Sequence, residues 1–362
     1  MILLIIVIFL FSCYSILIIY YWQGWRSIPD FIPSQNIPLV KISVIIPARN
    51  EEENIGQLLA ALQQQTYPKE LFEIIVIDDH STDITSEVVH KFAGVRLLSL
   101  KEDDINSYKK KAIETGIAVA SGEFIVTTDA DCLPHPKWLE LIVTFKEEKN
   151  AAFIAAPVVF KNDSSLLQIF QTLDFLVLQG ITGASVYKKK LSMCNGANLA
   201  YERKIFYEVN GFTGVDHIAS GDDMLLMHKI WKKYPQLVHY LKSKEAIVLT
   251  QPMKTWKEFF NQRIRWASKA KHYDDKRIFW VLLLVYLFNL SFLMLLVAGC
   301  WLPVLWLYFI ALVVAKTIIE LPFVYAIASF FGKKSLIKYF FFFQPLHIAY
   351  TILSGLLGIT PT

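Results

Sequence analysis

The stretch KISVIIPARNEE, residues 41–52, decides how the middle of this chain folds. Lys41 to Ala48 is an apolar run of strand length, and Asn50 to Gln65 follows with helical spacing and acids in its first turn. A buried strand feeding an amphipathic helix is the opening half of a βαβ unit, in which the next strand runs parallel to the first. The pattern then repeats. Phe72 to Asp78 reads as a second strand, and Ile84 to Phe92 as a helix behind the cap-type residues Ser81, Thr82 and Asp83. Val95 to Leu100 reads as a third strand, Tyr108 to Ala120 as a helix, and Glu123 to Thr128 as a fourth strand. The expected fold class is α/β, a mostly parallel sheet covered by helices, across residues 41–252. Beyond Asp131 the pattern loosens. Lys137 to Lys149 and Ser164 to Lys190 read as helices, the second weakened by Gly180 and Gly183, while Ala151 to Phe160 and Met193 to Tyr201 read as strands.

The ends of the chain have another character. The chain is 54% hydrophobic with a mean hydropathy of +0.40, and its apolar residues concentrate at the two termini. Residues 1–22 carry no charge and have the length a bilayer requires, so they are expected to form a transmembrane helix. Neither a basic start nor a small-residue cleavage site marks them as a signal peptide. Residues 23–40, with three prolines, read as a linker. Ile278 to Cys300, Leu302 to Phe331 and Tyr339 to Ile359 are expected to be three further membrane helices within residues 277–362. Arg26 and Lys41 follow the first segment, and Lys333, Lys334 and Lys338 fill the last loop. Both clusters place the middle domain on the cytoplasmic side of an inner membrane. Lys316 and Glu320, spaced i, i+4 inside an apolar segment, read either as a mutual ion pair or as a polar wall for an acceptor path. The net charge of +4 and the lack of a basic domain argue against nucleic acid as a partner. Cys13, Cys132, Cys194 and Cys300 make no zinc or disulfide pattern.

Open α/β sheets bind ligands beyond the carboxyl ends of their strands. Pro47-Ala48-Arg49-Asn50-Glu51, Asp78-Asp79 and Asp129-Ala130-Asp131 all fall at such ends. Later come Gly221-Asp222-Asp223 and the run Gln262-Arg263-Ile264-Arg265-Trp266, about a dozen residues before the apolar stretch that begins at Ile278. In this order, these strings resemble the GT-A fold of membrane-bound family 2 glycosyltransferases, the group of the cellulose, hyaluronan and ceramide glucosyltransferase-like enzymes. The resemblance covers about two thirds of the chain.

It implies transfer of a sugar from a nucleotide diphosphate sugar, expected to be a UDP-sugar, to a lipid or glycan acceptor at the membrane. Pro47, Ala48, Asn50 and Glu51 then line the donor. Asp79 contacts the base, unless it merely caps the following helix. Asp129 contacts ribose or sugar. Asp131 is the implied ligand of a Mg2+ or Mn2+ that bridges to the diphosphate, although both acids could be solvated loop residues. Lys109 reads equally as a donor-binding lysine or as part of a solvated basic face shared with Lys110 and Lys111. Asp223 resembles the catalytic base, which takes the acceptor hydroxyl's proton. Gln262, Arg265 and Trp266 lie on an amphipathic helix expected from Trp256 to His272, within an interfacial segment 253–276. Arg265 suits a departing diphosphate, and Trp266 offers a flat apolar wall. The same helix also suits anionic lipid. His80 and Tyr108 stand where relatives carry glycine and receive no role. Few membrane segments favour a lipid-linked acceptor over a processive polysaccharide synthase. A non-catalytic nucleotide-sugar-binding membrane protein is the contrasting class.

Overall fold

In the computed structural model of the protein the described residues are 2–34, 38–101, 107–161, 163–190, 193–218, 220–268 and 275–359. Their elements, in chain order, are α1 (Ile2–Ser27), β1 (Ile42–Ala48), α2 (Ile55–Gln63), β2 (Phe72–Asp78), α3 (Thr85–His90), β3 (Val95–Ser99), α4 (Tyr108–Val119) and β4 (Phe124–Thr127). Then follow α5 (Trp138–Lys149), β5 (Phe153–Ala155), β6 (Val158–Phe160), α6 (Leu166–Tyr187), β7 (Leu199–Glu202), α7 (Arg203–Glu208), α8 (Asp222–Lys233), β8 (Val238–Tyr240) and β9 (Val248–Thr250). The chain closes with α9 (Trp256–Ser268), α10 (Lys276–Ala298), α11 (Val304–Phe330) and α12 (Gln344–Ile359). Two compact units emerge: a helical unit of Met1–Ser27, Asn162–Ala184 and Pro252–Thr362, and a sheet unit of Ile28–Lys161 and Ser185–Gln251.

The sheet unit holds a seven-stranded sheet in the order β3-β2-β1-β4-β7-β5-β8. β1 pairs in parallel with β2, from Ile42 opposite Phe72 to Ala48 opposite Asp78. β2 pairs in parallel with β3, and β1 with β4. β1, β2 and β4 are largely buried on both faces, which is why their sequences are mostly apolar without alternation, whereas β3 at the sheet edge is not. β7 reverses direction and lies antiparallel to both β4 and β5, while β8 is parallel to β5. The single strand expected over 151–160 is two. Ala156-Pro157 interrupts it, since proline has no N–H to extend a ladder. β5 stays in the main sheet, and β6 pairs with β9 in a separate two-stranded sheet. Of the strand expected from Met193 to Tyr201, only the end forms. A 3-10 turn, Gly196–Asn198, precedes β7, and Asn195 Oδ1 accepts from the Ala197 N–H at 2.9 Å.

The helix expected within residues 164–190 forms: α6 runs unbroken over 22 residues through Gly180 and Gly183, but its portion to Ala184 groups with the apolar helices and not with the sheet unit. Gly180 serves packing: a Cβ there would lie 2.1 Å from Ile327 Cδ1 on α11. Among the described residues α1, α6, α10 and α11 are long and apolar enough to cross a membrane. The α6 window is 83% buried inside the protein, against 17%, 28% and 33% for the other three. The third C-terminal span is shorter than expected. A 3-10 segment, Lys334–Tyr339, and the turn residues 340–343 precede α12 and leave it with 16 residues, against the roughly 20 of a typical span. Lys316 and Glu320 form the mutual pair, Nζ to Oε1 2.8 Å, and Gln344 joins both, donating to Glu320 Oε2 at 2.7 Å and accepting from Lys316 at 2.6 Å.

Gly122, at the turn into β4, packs directly against backbone: a Cβ would stand 2.5 Å from Ile42 C and Ser43 N. Backbone cannot rotate away as a side-chain tip can. Gly122→Ala is expected to destabilise the sheet by about 1–3 kcal/mol, read as a lower apparent unfolding temperature of the purified chain.

Candidate functional site

The loops after β1 and β2 are laced together. The Asn50 N–H donates to Ser81 Oγ at 2.9 Å, the Glu51 N–H to Thr85 Oγ1 at 2.8 Å and the Glu52 N–H to Asp83 Oδ2 at 3.2 Å. In return the Thr82 N–H donates to Asn50 Oδ1 at 2.8 Å and the Ile84 N–H to Glu52 Oε2 at 3.1 Å. Asn50 and His80 both sit at φ 55°, the left-handed region that glycine occupies without cost. That strain explains why glycine suits the position of His80.

Asp83 takes the capping task at α3, accepting from the Thr85 N–H at 3.0 Å. Asp79 is thereby left for other partners: His80 Nδ1 at 3.0 Å and Arg49 Nη1 at 3.8 Å. The His80 ring meets Tyr108 edge-on at 5.8 Å, and the Arg49 guanidinium lies 5.6 Å from the Tyr108 ring centre. Arg49, His80 and Tyr108 therefore surround Asp79 in a way the sequence alone did not signal. Beside it Asp78 is buried, and its Oδ1 has no hydrogen-bond partner among the described residues.

Lys109 is the hub of the site. Its ammonium lies 2.6 Å from Asp129 Oδ1 and 3.6 Å from Asp222 Oδ2. Burial alone would lower its pKa, but Asp129 and Asp222 outweigh that and hold it above the usual lysine range. The ambiguity of three consecutive lysines is thus resolved: Lys109 points among the acids. Lys110 is only 2% exposed and donates to the carbonyls of Val215 at 2.8 Å, Ser220 at 3.0 Å and Ile218. It ties down the segment that leads into Gly221-Asp222-Asp223.

Asp131 accepts from Thr250 Oγ1 at 2.8 Å and from the Gln251 N–H at 3.3 Å. Burial, reinforced by the Asp129 charge, raises its pKa above the usual carboxylate value. Glu51 is raised as well, by burial first, with Asp131 and Asp129 adding to it. Asp222 and Asp223 open α8, where negative charge suits the helix N-terminus. Gly221 precedes them at φ 83°. Asp222 is buried, whereas Asp223 is half-buried and accepts from the Gly196 N–H at 3.1 Å and the Met224 N–H at 2.7 Å. A Cβ on Gly196 would come within 3.1 Å of Asp222 Oδ2 and 3.3 Å of Lys109 Nζ. The Asn195–Asn198 turn is thus built against the acids. Asn198 itself is scaffold, holding the carbonyls of Pro157 and Ala246 and accepting from Trp138 Nε1.

Within the sheet unit the structure therefore brings Glu51, Lys109, Asp129, Asp131, Asp222 and Asp223 into one electrostatic neighbourhood, with Asp79 on the Arg49–Tyr108 side of it. Pro47 and Ala48 close β1, whose last residue accepts from the Asp79 N–H at 2.8 Å. Gln262, Arg265 and Trp266 lie on α9 of the helical unit, Gln262 and Trp266 half-buried and Arg265 exposed. The expected extension of this helix to His272 falls on residues 269–272, outside the described set.

Among the described residues no group of three or more His, Cys, Asp or Glu side chains is arranged to hold a metal ion. Asp131 keeps carboxylate oxygen for one, and Mg2+ or Mn2+ is commonly bound by one or two carboxylates plus substrate phosphates. The donor set fits a metal whose remaining ligands come from a diphosphate.

Residues 43–209 match the model of Glycosyl transferase family 2, so the chain carries a glycosyltransferase family 2 domain. It is 30% identical over 255 residues to the Probable glycosyltransferase YdaM of Bacillus subtilis, covering 68% of this chain and 59% of that protein. It is also 30% identical over 186 residues to Glycosyltransferase AglE of Haloferax volcanii, covering 51% of this chain and 59% of the relative. The chain thus matches less than two thirds of the length of these curated relatives. Among solved structures, the mannosyltransferase PcManGT from Pyrobaculum calidifontis, in complex with GDP-Man and Mn2+, is similar over 98% of this chain and 99% of its own, at 20% identity and a TM-score of 0.64. At that identity the likeness speaks for the fold.

Removing the Lys110 ammonium strands three carbonyls, each costing about 1–3 kcal/mol if left buried and unpaired. Lys110→Met is expected to make the segment around Val215 at least tenfold more susceptible to proteinase K, with cleavage sites mapped by mass spectrometry.

Proposed function

We propose that this chain is a membrane glycosyltransferase that moves a sugar from a nucleotide diphosphate sugar to a lipid or lipid-linked acceptor, with inversion at the anomeric carbon. The observation that carries the proposal is Lys109, whose one ammonium reaches both Asp129 and Asp222. A donor-side acid and an acceptor-side acid are thereby held at one place, as a transfer between two bound substrates requires.

In this reading Asp79, with Arg49, His80 and Tyr108 around it, receives the nucleobase. Pro47, Ala48, Asn50 and Glu51 line the donor, and Asp129 holds its ribose or sugar. Lys109 supplies positive charge to the diphosphate. Mg2+ or Mn2+ at Asp131 would screen the diphosphate and make it a better leaving group. Asp223, the more accessible of its pair, takes the acceptor hydroxyl's proton. Its hydrogen bonds from the Gly196 and Met224 N–H groups fix the carboxylate's direction. Gln262, Arg265 and Trp266 are assigned to the same transfer on their motif alone.

Residues 41–252 are proposed as the cytoplasmic catalytic domain, residues 253–276 as an interfacial segment, and α1, α10 and α11 as spans of an inner membrane. A UDP-sugar is the proposed donor. A GDP-sugar is the alternative, GDP-Man being the ligand with which the fold-similar PcManGT is described. A processive synthase and a non-catalytic nucleotide-sugar binder are the remaining readings.

Purified full chain in lipid nanodiscs, given Mn2+, UDP- or GDP-sugars and a membrane lipid extract, is expected to release nucleoside diphosphate. Asp223→Asn should lower kcat by about 10²-fold or more; near wild-type turnover would refute the base assignment. Metal binding requires ionised Asp131, and burial makes that group keep its proton to higher pH than an ordinary aspartate. Mn2+ affinity in the presence of UDP should therefore weaken as pH falls, by about tenfold per unit below the raised pKa. Electron paramagnetic resonance of Mn2+ reads this, and the pH-dependent step should vanish in Asp131→Asn.

A further inference from the structure

The buried residue of the Gln262–Trp266 run is none of the three that the motif singles out. It is Arg263, 4% exposed, on the same stripe of α9 as the fully buried Phe259. Its Nε and Nη2 both donate to Asp174 Oδ2 on α6, at 3.0 and 2.7 Å. Its Nη1 donates to Gln262 Oε1 at 2.8 Å. Its guanidinium lies 4.3 Å from the Trp266 ring centre and 4.7 Å from that of Phe259. The other oxygen of Asp174 accepts from the Tyr350 hydroxyl on α12, with His347 Nε2 3.9 Å away. Leu167, Phe170 and Phe259 form an apolar cluster beside this network, with Tyr350 packed against it.

We propose that Arg263, clamped by Asp174, is the positioning residue of this motif: it holds the Gln262 amide and the Trp266 ring in fixed orientation and pins α9 to α6 and α12. The inference rests on the reading of Gln262 and Trp266 as part of the transfer machinery. A buried ion pair kept only for stability can be replaced by well-packed apolar residues with little loss. An apolar residue at 263 would neither donate to Gln262 nor set a cation against Trp266. Lysine would fail as well, since a point charge on a flexible stem cannot reproduce the planar fork that serves Asp174 and Gln262 together.

The test compares Arg263→Lys, Asp174→Asn and Asp174→Glu with wild type, as full chains in nanodiscs. Two readouts are taken: deuterium uptake of peptides from α9 and α10, and steady-state nucleotide release. Arg263→Lys and Asp174→Asn are expected to speed exchange in α9 at least tenfold with α10 unchanged. Their kcat should fall at least tenfold with the donor KM within twofold, and Asp174→Glu should retain more turnover than Asp174→Asn. Unchanged α9 exchange would overturn the proposal. So would a lower unfolding temperature accompanied by wild-type kcat per folded molecule, which is the behaviour of a merely stabilising pair. If wild type releases no nucleotide from any donor, the transferase reading fails, and the exchange measurement decides the clamp by itself.

Discussion

Carboxylates gathered at one edge of a sheet repel one another, and the sheet unit is organised around that fact. Two unit charges 4 Å apart interact by about 4 kcal/mol at an effective dielectric of 20. Asp129, Asp131, Asp222, Asp223 and Glu51 would therefore disperse if each faced only the others. Lys109 neutralises part of the cluster, with Asp129 and Asp222 as its partners. The N–H groups of Gly196 and Gln251 and the Thr250 hydroxyl satisfy others. The first turn of α8 favours the charges of Asp222 and Asp223. What remains is an excess of negative charge with burial already pushing Asp131 and Glu51 towards the protonated form. A site in that state gains most from a ligand that arrives with a cation.

The topology is what makes the gathering achievable. Four parallel strands, β1 to β4, deliver their carboxyl ends to one side of the sheet, so the segments that follow them share a rim. β7 runs the other way, and so it brings the Asn195–Asn198 turn to that rim before the strand begins rather than after it ends. Asp222 and Asp223 reach the rim from α8, behind a segment whose carbonyls Lys110 holds. Two adjacent lysines at the start of α4 therefore do different things. Each residue turns the helix by about 100°: Lys109 meets the acids, and Lys110 meets backbone carbonyls.

This rotation also marks where the sequence stopped being readable. β1 to β4 were legible to within a residue or two, β1, β2 and β4 because burial leaves a largely apolar signature, and the acids fell at the predicted ends. The residues that hold the acids in place were not legible. Three consecutive lysines carry no sign of which one faces inward. Arg49, His80 and Tyr108 come from three loops or helix starts, and only folding puts them beside Asp79. Gly180 in α6 was legible only as a residue of low helix propensity; that the close approach of α11 leaves no room for a side chain there was not. Pro157 was in plain view, yet its consequence, two strands in two sheets, depends on pairing with β9, which lies about 90 residues further on.

The helical unit solves a charge problem of its own by closure. Lys316 and Glu320 alone would stabilise only the helix that carries both. Gln344 from α12 bonds to each, and Tyr14 from α1 donates to Glu320, so three helices meet at one polar set. In an apolar surrounding each of these groups is costly without its partners. A slip of α1 or α12 by a single turn would strand the pair, whereas an all-apolar interface would tolerate it. Asp174 and Arg263 apply the same logic to α6, α9 and α12. Neither set is needed to drive the helices together, since apolar packing can do that. Their value is in specifying which face and which register pack, the best-attested use of buried polar groups. For α9, that register fixes where Gln262 and Trp266 stand.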